Sequence, residues 1–171
     1  MIQITSEDIV FAQKPRVWDL ADQVLYDLCA SHPTHKADDE IIAKIWLIGR
    51  SYAASIERRK NATQIGDDFY EETVAPTLRN SNIDAWLSSI PQIITPGSPG
   101  SIAVHKRLMA LFGSITGLEK RSLASKYLHF HQPSIFYIYD SRVRQAITKV
   151  VPRLNSIPDI QVAEFDQEYK D

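Results

Sequence analysis

A chain of 171 residues, 44% apolar and 23% charged, can bury enough surface for one domain of ordinary size but not for two. Six glycines and nine prolines are too few for low-complexity or collagen-like sequence, and apolar residues are too frequent for disorder. The net charge of -2 is uneven: Ser101 to Arg153 holds nine Lys or Arg against two acids, a net +7, and the remainder nets -9. A basic third of the chain suits a polyanion such as nucleic acid, or a solvated face that offsets the acidic remainder.

Cys29 is the single cysteine, which excludes an internal disulfide and a multi-cysteine zinc or iron-sulfur site; it reads as a small buried hydrophobe. No metal or cofactor is expected. No apolar run approaches the roughly 20 residues that span a bilayer. Met1 to Phe11 contains Glu7 and Asp8, with no basic start or cleavage site, so a cytoplasmic location and no membrane partner are expected.

Pro15 to Ser31 places Val17, Leu20, Ala21, Val24, Leu25 and Leu28 at helical spacing, predicting an amphipathic helix. Asp38 to Lys60 predicts a second, opened by the acids Asp38, Asp39 and Glu40, closed by Arg58, Arg59 and Lys60, and apolar nearly all round between. Asp67 to Asn80 reads as a helix weakened by Pro76, and Asn82 to Ile90 as a short one. Pro91 to Gly100, with three prolines and two glycines, predicts a loop. Helices follow at Ser101 to Phe112 and from about Leu118 to His131, which Pro133 stops. Ser134 to Tyr139 reads as extended, Asp140 to Val151 as a last helix, and Asp159 to Asp171 as an acidic tail.

Gly113 to Ile147 is the most informative stretch. A glycine turn between two helices brings backbone amides up to a phosphate, and the helix after it presents Lys120, Arg121 and Lys126, with Asp140 in front of the next helix. An anion fixed in a poorly solvated place stabilises the positive charge that develops on a sugar when an N-glycosidic bond breaks. Asp140 fits that role, and it fits equally the ordinary use of an aspartate as a helix cap. His129 and His131, two residues apart, lie on different helix faces, so joint metal binding is not expected. One is expected to be packed and the other to face a groove.

This stretch resembles the helix-hairpin-helix DNA glycosylase superfamily. Gly117-Leu118-Glu119 occupies the hairpin, Tyr137-Ile138-Tyr139-Asp140 the approach to the family's catalytic aspartate, and Arg142-Val143 the start of the following helix. The resemblance implies an all-α, two-lobed domain: an acidic lobe at about 1–98, a basic hairpin-containing portion at about 99–153, and an acidic tail at 154–171. It implies DNA as partner, with Gly117, Arg121, Arg142, Arg144, Lys106 and Arg107 near the nucleic acid. Arg50, Tyr52, His129, His131 and Tyr139 are base-pocket candidates. Two departures stand out. Glu119 replaces the hairpin's second glycine. Arg121 occupies the family's lysine position, and arginine stays protonated and cannot form a Schiff base, which leaves Lys120 and Lys126 as candidate nucleophiles. A monofunctional glycosylase needs only the aspartate. The rival expectation is a noncatalytic helical module that binds nucleic acid or a protein partner.

Overall fold

The computed structural model describes residues 2–60, 66–93 and 96–151. Within them the protein is all-helical: α1 (Ser6–Ala12), α2 (Asp19–Ser31), α3 (Asp38–Ser51), α4 (Asp67–Phe69) running through a π turn (Tyr70–Val74) into α5 (Ala75–Arg79), α6 (Ile83–Ile93), α7 (Pro99–Thr116), α8 (Arg121–His131) and α9 (Ser141–Val150). The 154–171 tail and Ile94 and Thr95 of the expected loop lie outside the described residues. No described helix is long and apolar enough to cross a membrane.

α3 and α8 sit at the centre, packed on each other and on α2, while α7 packs on α8 and α5 on α3. One apolar cluster joins Leu25, Ile41, Ile45, Ile48 and Val74 to Leu108, Phe112, Tyr127 and Phe136, so acidic and basic portions share a core. Lys44, the charged residue of α3's interior, is fully buried and donates from Nζ to the carbonyls of His32 and Thr34, both at 2.8 Å. That gives two of its three donors to the backbone between α2 and α3, the kind of partner a buried cation requires. Cys29 is buried, and burial pushes its thiol up to about 12.

Several expected boundaries move, each for a local reason. α3 ends at Ser51, not Lys60. Ala53 stands at φ 50, with Ala53 N–H on Arg50 O (3.3 Å) and Ala54 N–H on Gly49 O (2.8 Å). This is the paired hydrogen-bond pattern of a Schellman stop, with alanine where glycine is usual. Gly49 lets the chain pass close beneath it: a Cβ there would lie 3.2 Å from Ser55 Cα, so the backbone would have to give by a few tenths of an ångström. Pro76 is accommodated in the first turn of α5, directly after the π turn has shifted the hydrogen-bond register. α6 runs through Pro91 to Ile93, since a proline in a last turn keeps a helical φ and forfeits one hydrogen bond. α7 continues to Thr116, where Gly117 at φ 67 ends it.

The largest correction is in α2. The helix starts at Asp19, and Val17, Leu20 and Val24, expected on its buried face, are 87%, 75% and 55% exposed. Leu25, from the same expected set, and Cys29, read as a small buried hydrophobe, are buried, because α8 and α3 cover that side. α1 was not expected from the sequence. Its signal is the Thr5–Asp8 capping box, in which each side chain takes the other's backbone N–H.

Candidate functional site

Asp140 is the residue before α9. Its Oδ1 accepts from the N–H groups of Arg142 (3.0 Å) and Val143 (3.1 Å), and Oδ2 accepts from Lys126 Nζ at 3.1 Å. The Asp140 side chain is 24% exposed and that of Lys126 2%. Burial opposes ionisation of Asp140, but the Val143 amide, the Lys126 ammonium and the Arg142 amide outweigh it and hold the carboxyl below its ordinary value. Lys126 Nζ also donates to Ser122 Oγ at 2.7 Å and lies 5.5 Å from the centre of the Tyr52 ring.

These groups face a cleft of about 650 Å³ between the α2 start and α3 end on one side and α8 and the α9 start on the other. Trp18, Ala21, Asp22, Ser51, Tyr52, Ala53, Ser122, Lys126, Asp140, Ser141 and Arg142 line it. Tyr52 O–H donates to Asp22 Oδ1 at 2.6 Å, and burial with that bond raises the phenol above its ordinary value. The cleft therefore holds two carboxylates, Asp22 and Asp140, one ammonium and two aromatic rings. On its other side Asp140 borders a recess of about 420 Å³, lined also by Glu119, Arg121, Ser122, Tyr139 and Arg144.

The turn from Gly117 to Lys120 is stitched to the segment after α3. Lys60 N–H donates to Thr116 O at 2.9 Å, and Lys120 Nζ donates to Ser55 O at 2.8 Å and to Arg58 O. Burial, then the neighbouring Arg58 charge, lowers the Lys120 ammonium below its ordinary value. Lys120 is thus a strut to backbone carbonyls, away from Asp140. Gly117 N–H is taken by Gly113 O and Leu118 N–H by Thr116 Oγ1, and α8 itself starts without a side-chain cap.

The structure brings together Asp140, Lys126, Tyr52 and Arg142 from the residues the sequence singled out, with Tyr139, Arg121 and Arg144 at the adjoining recess. Arg121 pairs with Glu119 at 3.2 Å. Arg50 lies outside the cleft lining and grips Glu57 with bonds of 2.7 and 2.6 Å. Lys106 and Arg107 lie on α7, also outside it. Neither expected pocket histidine lines the cleft. His129 donates from Nδ1 to Phe136 O (2.7 Å) and accepts the Tyr26 hydroxyl at Nε2 (2.6 Å), tying α8 to α2. His131 donates from Nδ1 to Tyr127 O (2.7 Å) and stacks on His35, and burial lowers it to about 3. His129 uses both ring nitrogens on internal bonds, and His131 uses Nδ1 while its Nε2 is buried without a hydrogen-bond partner.

Sequence reasoning missed Trp18, Asp22, Ser122 and Ser141. Only Ser122 had a usable signal, its place one turn before Lys126. No protein-family model matches the chain, and no curated protein or solved structure matches it significantly.

Proposed function

We propose that the protein is a base-excision enzyme of the DNA glycosylase type, hydrolysing the N-glycosidic bond of a modified or damaged base. The observation that carries this reading is the ionised Asp140 carboxylate, fixed by two amides and the Lys126 ammonium at the side of a cleft large enough for a nucleoside. A base turned out of the duplex meets the Trp18 and Tyr52 rings, with the Asp22 carboxylate accepting N–H donors from its edge. The sugar meets Asp140. As the bond to the base breaks, its electron pair leaves with the base, and the cation left on the sugar is stabilised by Asp140 until water adds to it; the proton that water gives up ends, through solvent, on the departed base. Arg142 at the cleft, Arg121 and Arg144 at the recess, and the uncapped start of α8 supply the positive field that phosphates need. Lys126 positions Asp140, and no lyase step is required.

The test is incubation of the wild type and Asp140→Asn with duplexes carrying uracil, 8-oxoguanine, alkylated or hypermodified bases, followed by alkali. Strand breaks lost in Asp140→Asn support the enzyme. Salt-sensitive binding with no break in the wild type supports the second reading, a noncatalytic helical module for nucleic acid or a protein partner. One observation favours that reading: both Asp140 oxygens already have partners, an arrangement sufficient to hold α9 without any reaction.

A further inference from the structure

α2 has two apolar faces. One holds Leu25 and Cys29 and is covered by α3 and α8. The other lies roughly 100° further round the helix and holds Leu20 and Val24, continued by Val17 in the turn before it. All three are exposed, at the spacing of three and four residues along which one helix packs on another. Phe11 and Trp18, also exposed, widen this stripe at the α2 start, where the Arg16 guanidinium lies 5.1 Å from one ring centre and 5.9 Å from the other. An exposed apolar stripe of this kind marks an interaction surface. Its charges decide the partner. Glu7, Asp8, Asp19, Asp22 and Asp27 outnumber Lys14 and Arg16, a balance that repels a polyanion. Their order matters as well. Lys14 and Arg16 stand at the start of the stripe, and Asp27, joined to Gln23 by a 2.8 Å bond, edges its far end. Between them, Asp19 accepts the Arg16 N–H and Asp22 the Tyr52 hydroxyl.

We infer that a second copy of this chain docks here, α2 against α2, antiparallel about a two-fold axis at Leu20. A stripe with cations at one end and an acid at the other is complementary to itself reversed. In that arrangement Val17 of each copy meets Val24 of the other, and the two Leu20 side chains meet at the axis. Lys14 and Arg16 of each copy come to Asp27 of the other, so the two-fold makes every charge pair occur twice. A parallel pairing would set like charges against each other at both ends, which selects the antiparallel one. Trp18 belongs both to the stripe and to the cleft lining, so the second copy borders the cleft mouth. The inference is independent of the reaction assigned to Asp140.

The test is sedimentation equilibrium of the full chain from about 1 μM to about 300 μM, the span over which a weak dimer forms. The wild type is expected to pass from the mass of one chain to that of two. Leu20→Glu sets two carboxylates against each other at the axis and is expected to weaken the dimer about tenfold or more. Its melting temperature, read at a concentration where both proteins are monomeric, is expected to match the wild type, because Leu20 is exposed. Asp27→Lys is expected to weaken the dimer about fivefold, since the two-fold counts each lost pair twice, and Asp27→Lys with Lys14→Asp is expected to restore it. A wild type at the mass of one chain throughout overturns the inference, as does a dimer that Leu20→Glu leaves intact. A double reversal no tighter than Asp27→Lys alone overturns the antiparallel seating. Duplex DNA that binds the wild type and not Leu20→Glu, with no dimer in either, assigns the stripe to nucleic acid and overturns the second copy.

Discussion

Lys126 Nζ bridges Ser122 Oγ, 2.7 Å away on its own helix, and Asp140 Oδ2 at 3.1 Å, so the carboxylate that caps α9 is also anchored to α8. Cutting this bridge from the lysine side leaves the cap in place. Lys126→Met is expected to cost about 1–3 kcal/mol in urea unfolding, because a quarter-exposed carboxylate loses its ion partner. It also removes one of the groups holding Asp140 below its ordinary value, so the acid limb of any pH–rate profile moves to higher pH. An unmoved acid limb would show that Lys126 does not tune Asp140.

His35 and His131 make the fold sensitive to mild acid. Burial, with the Lys44 charge adding to it, lowers His35 to about 4 against the pull of Asp84, and burial with His35 lowers His131 to about 3. The unfolded chain protonates both near pH 6.5. Between that pH and the folded values the unfolded state binds more protons. The stabilisation is therefore complete above about 6.5 and lost as pH falls toward 4 and then 3. Stability is expected to drop by up to about 2 kcal/mol per histidine from pH 7 to 5, a bound set by about 1.4 kcal/mol per pH unit. His131→Phe, which keeps a ring against Tyr127, should flatten that dependence in urea titrations at the two pH values.

Ala53 is the non-glycine residue at positive φ among those described, and it lines the cleft at the end of α3. An alanine at φ 50 carries a steric cost that glycine does not. Ala53→Gly is expected to raise stability by about 0.5–1 kcal/mol, after subtracting the added freedom of the unfolded chain, with a matching rise in Tm. A fall in Tm would mean that the alanine methyl contributes more by contact than its backbone costs.

Helix content and the placement of Asp140 were legible because they depend on local rules: acids opening α3, a glycine turn between α7 and α8, an aspartate opening α9. The faces of α2 were not. Leu20 and Leu25 are equally apolar, and only the positions of α3 and α8, set by contacts distant in sequence, decide that Leu25 is covered. The cleft was half legible for the same reason. Lys126 and Asp140 are 14 residues apart and belong to the basic stretch the sequence marked out, whereas Asp22 meets Tyr52 across 30 residues. The histidines show the limit from the other side. A His-Phe-His triplet looks available to a groove until Tyr26 and Phe136 are seen to hold one ring, and Tyr127 and His35 the other.

Lys120 separates a phosphate contact from a structural strut. Its ammonium donates to the Ser55 and Arg58 carbonyls, joining the α7–α8 turn to the segment that follows α3. Lys120→Met keeps an unbranched apolar stem but leaves both carbonyls without that donor. The expected cost is about 1–3 kcal/mol, seen as a lower urea midpoint with little change in m-value. At temperatures where the variant is fully folded, the salt slope of DNA binding should equal that of the wild type, since a group facing backbone carbonyls releases no counterions. A slope lowered by about one, with stability intact, would instead place Lys120 on a phosphate and require the 55–58 segment to release it when DNA binds.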